Sequence, residues 1–126
     1  MSERQEFYDN IPEGLNADVP RHDSWTEQSF RITQKGFEAK FVDGETWKHF
    51  GIAEFAGEQL PCLSLTHLTT GCRLWIGDPK ETKWSELKAL AEALCDLIPD
   101  SKIASDVEEN AEIARIVITE MMEGHQ

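Results

Sequence analysis

Long apolar runs are missing from this 126-residue sequence, and so are the short motifs that mark many enzyme families. No stretch approaches the ~20 apolar residues of a membrane-spanning helix, and the start of the chain lacks the basic and apolar regions of a signal peptide. The patterns GxSxG, HExxH, GxGxxG and Walker A are all absent. We therefore expect a cytoplasmic protein, located in the host cytoplasm if a virus encodes it.

Cysteine is scarce, with only Cys62, Cys72 and Cys95 in the chain. An odd number at these spacings matches neither a disulfide framework nor a paired CxxC zinc site. Four side chains could offer metal ligands but have no recurrent spacing: His49, His67, Cys62 and Cys72. We expect reduced thiols, no bound metal and no cofactor.

Acidic residues are in excess, and the surplus lies at the two ends of the chain. The sequence has 24 acidic and 12 basic residues, which gives a net charge of −12. Residues 1–28 carry −5, residues 29–77 are neutral, and residues 78–126 carry −7. Such a surplus deters nucleic acid and anionic membranes, and it raises encounter rates with basic partners. We predict a basic protein partner and no direct binding of nucleic acid or membrane.

The length predicts one domain, because a chain of this size buries roughly two thirds of its unfolded surface without staples. Residues 1–27 are interpreted as an irregular acidic arm, since Pro12 and Pro20 interrupt any long helix. Residues 28–126 form the domain itself in this interpretation. We expect the arm to pack on the domain through three aromatic anchors, Phe7, Tyr8 and Trp25.

Residues 28–77 alternate between apolar and polar types, which predicts an antiparallel meander of about five strands. The strongest turn signal is Asp43-Gly44, since Asp-Gly suits a two-residue hairpin loop. That register places Lys40 opposite Trp47, and it places Phe37 opposite Phe50. The predicted core face carries Phe37, Ala39, Phe41, Phe50 and Ile52, and the predicted outer face carries Glu38, Lys40, Trp47 and His49.

A second hairpin is predicted over residues 60–76, around Thr69-Thr70-Gly71. Its loop length decides which side chains share a face, because neighbouring residues of a strand point to opposite sides. An even loop places Leu63 and Leu65 in the core with Leu74 and Ile76. The same loop places Ser64, Thr66, Arg73 and Trp75 on the outer face. Gly36 and Gly57 mark the remaining turns.

Two amphipathic helices are predicted over residues 79–98 and 106–123. Asp78-Pro79 with Glu81, and Ser105 with Glu108, have the residue types of helix starts. The first apolar stripe consists of Trp84, Leu87, Leu90, Ala91, Leu94 and Ile98, and the second of Val107, Ala111, Ala114, Val117, Ile118 and Met121. Two helices that cover one apolar face of an antiparallel sheet form an α+β sandwich.

The outer sheet face is one candidate binding surface. Aromatic side chains among charged ones are typical of interface anchors. The candidate residues on this face are Lys40, Trp47, His49, Arg73 and Trp75. In the alternative interpretation, the N-terminal arm covers this face with Tyr8 and Trp25.

The last helix is a second candidate surface. Ile116 lies between Glu112 and Glu120 at 100° per residue, away from the apolar stripe, and Glu109 shares its side. An apolar centre with a charged rim is typical of a surface that docks on a basic protein. The alternatives are a solvated face or a homodimer seam.

These features favour a non-enzymatic acidic protein that occupies the basic surface of a nucleic-acid-handling partner, such as a nuclease. An inhibitor, an immunity protein or a viral anti-defence protein would act in this way. One alternative is an acidic adaptor or chaperone that works as a homo-oligomer. Another is a small-molecule binder or a small enzyme, for which Glu38, His49 and either Ser64 or Cys62 are the available catalytic side chains.

Overall fold

The computed structural model describes residues 15–33, 39–56, 61–97 and 107–123, and it confirms the α+β prediction. Five strands form one antiparallel sheet in chain order: β1 (Thr26–Thr33), β2 (Ala39–Trp47), β3 (Phe50–Ala56), β4 (Pro61–His67) and β5 (Cys72–Gly77). Two helices follow, α1 (Trp84–Leu97) and α2 (Val107–Glu123). Across the described ranges, no helix has the length and apolar character needed to cross a membrane. Several predicted positions lie outside the described residues: Phe7, Tyr8, Gly36, Phe37, Glu38, Gly57, Ile98 and Ser105.

The predicted turn at Asp43-Gly44 is wrong, because β2 continues through both residues. Gly44 pairs with Gln28 of β1 on one side and with Ala53 of β3 on the other. A Cβ atom at this position would lie 2.0 Å from the carbonyl oxygen of Ile52. Glycine is therefore required here by the close approach of two strands rather than by a turn.

The turn between β2 and β3 instead contains Lys48 and His49, between the paired residues Trp47 and Phe50. Lys48 adopts the positive φ, at 50°, that a tight turn needs. Because the turn lies at Lys48-His49, every predicted cross-strand pair of this hairpin changes. Lys40, for example, lies opposite Ile32 rather than Trp47.

The shifted register also changes which side chains are buried. Val42 is buried, whereas Ala39 and Phe41 are exposed although both were predicted for the core. The exposed fraction of Phe41 is 57%. Phe50 and Ile52 keep their predicted place and are fully buried.

The sheet carries a buried core on each face, whereas one buried face was predicted. The helix-side core contains strand residues Phe50, Ile52, Leu63, Leu65, Cys72 and Leu74 with helix residues Leu87, Leu90, Ala91, Leu94, Ala114 and Ile118. The helix residues are those of the two predicted stripes. A second core on the opposite face contains Val19, Phe30, Ile32, Val42, Ala53 and Leu68. Burial on both faces explains why β4 is buried almost continuously.

A register shift between β4 and β5 rearranges the end of the second hairpin. His67 pairs with Cys72 around a four-residue loop, as the even loop length requires, but Leu65 pairs with Trp75 rather than with Leu74. An extra residue in one strand turns the residues beyond it to the other side. Trp75 therefore packs against the helix-side core. Ile76 was predicted for the core but is 47% exposed.

Helix α1 begins at Trp84, later than the predicted start at residue 79. The Asp78 side chain accepts a hydrogen bond from the Lys80 N–H at 2.8 Å, but this contact closes a preceding turn. The capping acid of the helix is Glu86, whose Oε1 accepts from the Lys83 N–H at 3.2 Å. The cap therefore lies five residues further along the chain than the Asp78 motif indicates, and only its glutamate half is present, because Lys83 has no side-chain acceptor.

An N-terminal segment, residues 15–25, lies against the sheet near the end where the β2–β3 turn and the β4–β5 loop meet, since the Leu68 N–H donates to the His49 carbonyl at 2.8 Å. The Leu15 N–H donates to the Thr69 carbonyl at 2.8 Å, in the loop between β4 and β5. Further along the segment, the Lys48 N–H of the turn between β2 and β3 donates to the His22 carbonyl at 2.8 Å. Val19, between these points, is part of the second core.

Candidate protein-binding surfaces

The predicted outer sheet face does not exist as one surface. Trp47 and Trp75 both pack against the helix-side core, whereas Arg73 pairs with Thr66 and lies on the other side of the sheet. Lys40 is exposed at the far end of β2, where its Nζ lies 5.7 Å from the Phe55 ring centroid. The five residues predicted for this site are therefore distributed over both faces.

Trp25 covers Trp47, as the alternative interpretation of the arm expects, although the contact lies on the helix side. The two indole rings stack with centroids 5.7 Å apart, and Trp47 also stacks on Phe50 at 6.4 Å. The Trp25 Nε1 donates to Glu92 of α1 at 3.4 Å. The Trp47 ring is therefore packed between Trp25 and Phe50 within the molecule.

The side chains that could offer metal ligands, for which no metal site was predicted, have local structural contacts. His67 is buried, and its Nδ1 lies 2.9 Å from Thr70 Oγ1, which also accepts from the Cys72 N–H at 3.2 Å. The His49 ring contacts Phe50 at 4.2 Å between centroids and His67 at 5.7 Å. Among the residues that the structure describes, no three His, Cys, Asp or Glu side chains form a group that could hold a metal ion.

The catalytic alternative needs a nucleophile beside His49, and the described candidates lie too far along the sheet. Ser64 pairs with Ala53, four residues beyond His49 in sequence. At about 3.3 Å per strand residue this is a separation of roughly 13 Å, whereas a nucleophile and its base need hydrogen-bond contact. Cys62 pairs with Phe55, which is further still. His49 and these two candidate nucleophiles are therefore too far apart to act together as base and nucleophile.

The outward side of α2 carries a stripe of acidic and apolar residues, which we call the acidic stripe: Glu109, Glu112, Ile113, Ile116, Glu120 and Glu123. All of them are exposed. Ile116 lies at the centre with an exposed fraction of 51%, and Ile113 beside it is 40% exposed. Ala114 and Ile118, on the inward side, are fully buried. The helix therefore has an apolar side toward the sheet and a second, smaller apolar patch toward solvent.

Arg115 is the one basic residue of α2, and its side chain is directed toward β5. Its Nη2 donates to the Arg73 carbonyl at 3.1 Å and lies 3.4 Å from Cys72 Sγ. Its Nη1 lies 3.5 Å from Glu112 Oε2. Arg115 thereby fixes the helix to the edge of the sheet and offsets one carboxylate of the acidic stripe. The stripe has four glutamates and Arg115 is the one basic residue of the helix, so the helix keeps a net negative charge.

A second exposed surface lies on the helix side of β1 and β2, and we call it the open sheet face. Its cross-strand pairs are Glu27 with Glu45, Ser29 with Asp43, and Arg31 with Phe41. A groove of about 480 Å³ separates this face from Trp84, and its floor includes Glu27, Asp43 and Glu45. Lys88 Nζ lies 3.1 Å from Glu45 Oε1 at the side of the groove.

The other end of the open sheet face carries a cation over an aromatic ring. The Arg31 guanidinium lies 4.4 Å from the Phe41 ring centroid, and its Nη1 donates to Asp18 Oδ1 at 2.6 Å. This hydrogen bond lowers the pKa of the Asp18 carboxyl group. The open sheet face therefore changes from acidic at Glu27 and Glu45 to apolar at Phe41.

Sequence reasoning missed the open sheet face because the Asp43-Gly44 turn prediction divided β2 in two. The available signal is the alternation of Phe41, Asp43 and Glu45, which share one side of an uninterrupted strand.

Comparison with protein-family models, curated proteins and solved structures finds no match to this chain. The acidic stripe and the open sheet face are therefore the features of the molecule that bear on its function.

Proposed function

We propose that this protein is a non-enzymatic binder that uses the acidic stripe of α2 to occupy a basic surface of a partner protein. The observation that supports it most is the position of Ile116, which is half exposed at the centre of four exposed glutamates. An apolar centre inside a charged rim is the usual composition of a protein-binding patch.

The two kinds of residue contribute differently to such an interface. Burial of a whole Ile side chain contributes about 1.5 to 3 kcal/mol, and Ile116 and Ile113 keep roughly half of theirs available. The glutamates contribute mainly to the rate of encounter and to the choice of partner. We therefore expect affinity to depend on the isoleucines and association rate to depend on the carboxylates.

The partner class follows from the charge of the whole chain. Proteins that handle nucleic acid present Lys and Arg side chains to phosphates, and they release counterions when nucleic acid binds. A net charge of −12, with the surplus at both ends, suits a competitor for such a surface. The proposal is thus an inhibitor, immunity or anti-defence type of protein that acts in the cytoplasm, with a nuclease as the model partner.

The test begins with a photo-crosslinking amino acid at position 116, and a matched probe at position 76. Ile76 is a suitable control because it is also about half exposed but lies on the sheet face opposite the helices, in one row with Ser64 and Ala53. A partner that is crosslinked from position 116 and not from position 76 is then purified for binding kinetics. Crosslinking to a second copy of the chain would instead identify a homodimer seam.

Against that partner, Ile116→Asp should abolish binding with a free energy of unfolding within about 0.5 kcal/mol of the parent protein. Ile76→Asp should leave binding unchanged. Reversal of Glu109 and Glu112 to Lys should slow association and flatten its dependence on salt concentration. Unchanged affinity in Ile116→Asp and in the double reversal would rule out the acidic stripe as the binding surface.

A further inference from the structure

The outer edge of β1 has two sections that differ in their hydrogen bonding. At Arg31, the N–H donates to Asn16 Oδ1 at 2.7 Å and the carbonyl accepts from Asn16 Nδ2 at 2.9 Å. At Thr33, the N–H donates to the Gly71 carbonyl at 2.9 Å. Since these partners lie outside the β1–β2 pair, the odd-numbered residues of β1 direct their backbone groups away from β2.

The same alternation directs the backbone groups of Glu27 and Ser29 to the outside. Both residues are exposed, and within the described ranges no protein group is hydrogen-bonded to their N–H or carbonyl groups on that side. β1 is the first strand of the five-stranded sheet, and no other strand of the described residues covers this edge. An uncovered section of edge strand is a template for the addition of another strand.

The side chains next to this section have one sign of charge. Glu27 lies directly opposite Glu45, and Asp43 lies one row further along the same side. Like charges in opposite positions destabilise a sheet, and Lys88 offsets only the charge of Glu45. Trp84 forms the facing side of the groove, and its ring can lie against the stem or the charge of a Lys or Arg side chain.

We propose that a basic segment of a protein adds to β1 as an extended strand beside Glu27 and Ser29. In this arrangement the backbone of the segment completes the hydrogen bonding of the edge, and one of its Lys or Arg side chains enters the groove beside Glu27 and Asp43. Backbone pairing with side-chain selection in an adjacent pocket is an established mode of peptide recognition. The proposal does not depend on the acidic stripe, which belongs to a different element.

The test uses a fluorescent peptide of sequence Thr-Lys-Val-Lys-Thr-Lys-Val and the whole protein, with binding measured by anisotropy. Two control peptides separate charge from strand pairing. One has Glu in place of every Lys. The other keeps every side chain but carries N-methyl groups on alternate backbone nitrogens, so that it cannot donate to the edge of β1.

Two pairs of protein variants locate the binding site. Glu27→Gln with Asp43→Asn removes two charges from the groove, and Glu109→Gln with Glu112→Gln removes two charges from α2. Ser29→Pro removes the outward N–H at an edge position that tolerates proline. Ser29→Ala is its matched control, since it keeps the N–H and also loses the side-chain contact to Asp43.

The Lys peptide should bind, and the N-methyl and Glu peptides should bind at least about ten-fold more weakly. The groove variant should weaken binding of the Lys peptide by about five- to ten-fold, as expected for the loss of two surface charge contacts, and the α2 variant should not. Ser29→Pro should weaken binding more than Ser29→Ala does. Equal binding of the N-methyl peptide, an equal loss in the α2 variant, or no binding of the Lys peptide would each overturn the proposal. None of these results would affect the test at Ile116, because that test uses a different surface and a different readout.

Discussion

Each face of the sheet carries a buried core, but the two cores are covered in different ways. Two regular helices close the helix-side core with stripes of apolar side chains. The second core is closed from within the sheet by Phe30 and from outside by Val19 of the N-terminal segment, which Asn16 holds in place. Packing spreads its contribution over many contacts, whereas a hydrogen-bonded cover depends on a few atoms. The two cores should therefore respond differently to single substitutions.

The largest loss is expected in the helix-side core. Leu94→Ala should lower the free energy of unfolding by about 2 to 5 kcal/mol, because Leu94 is fully buried in the helix-side core. Asp96, which is exposed on the same helix, provides the control, and Asp96→Ala should change stability by no more than about 0.5 kcal/mol. Urea unfolding measures both. Similar losses in the two variants would contradict the assignment of the helix faces.

An intermediate loss is expected when the cover of the second core is released. Asn16 is fully buried and hydrogen-bonds to the backbone of Arg31 and to the Leu68 carbonyl at 2.8 Å. Asn16→Ala should cost about 2 to 4 kcal/mol, since it leaves several backbone groups without partners. Ala17→Ser, at an exposed neighbouring position, is the control.

Hydrogen exchange distinguishes this loss from general unfolding. In Asn16→Ala, the amide of Arg31 should exchange faster, whereas the amides of α1 should keep protection in proportion to global stability. A uniform loss of protection across both cores would mean that the N-terminal segment and the helices unfold as one unit.

The smallest loss is expected at Gly51, which lies against Phe30 of the second core. A Cβ atom there would lie 2.7 Å from Cζ of Phe30, so the ring must move to admit it. Gly51→Ala should cost about 1 to 3 kcal/mol. A double-mutant cycle with Phe30→Leu, measured by urea unfolding, should show coupling of about 0.5 kcal/mol or more, because the smaller side chain makes room. Strictly additive losses would indicate that Phe30 does not restrict this position.

Periodicity was sufficient to predict the number and order of the main elements. The helix stripes, including Leu87 and Leu94, follow from a 3.6-residue repeat that no alternative structure shares. The same repeat places Ile116 on the exposed side of α2, so the acidic stripe was visible in the sequence. A helix determines the direction of each side chain from local geometry alone.

The sheet was less predictable, because its register depends on contacts between distant residues. The Asp43-Gly44 pair has the composition of a turn, but Gly44 serves the approach of Ile52 from the next strand. The bulge that turns Ile76 outward leaves no local signal in the sequence. The open sheet face follows from the uninterrupted pairing of β2 at Gly44, and the turn composition of Asp43-Gly44 hid it from the prediction.

The hydrogen bonds of the N-terminal segment also determine the order in which a growing chain can fold. Leu15 and Asn16 are synthesised early, but their partners at Leu68 and Thr69 leave the ribosome more than fifty residues later. Until then the outer edge of β1 has neither Asn16 nor Gly71 in place, and an uncovered strand edge favours pairing between chains. The period between synthesis of β1 and synthesis of the loop after β4 is therefore the stage at which this protein is most exposed to aggregation, and slower translation of that interval should lower its soluble yield.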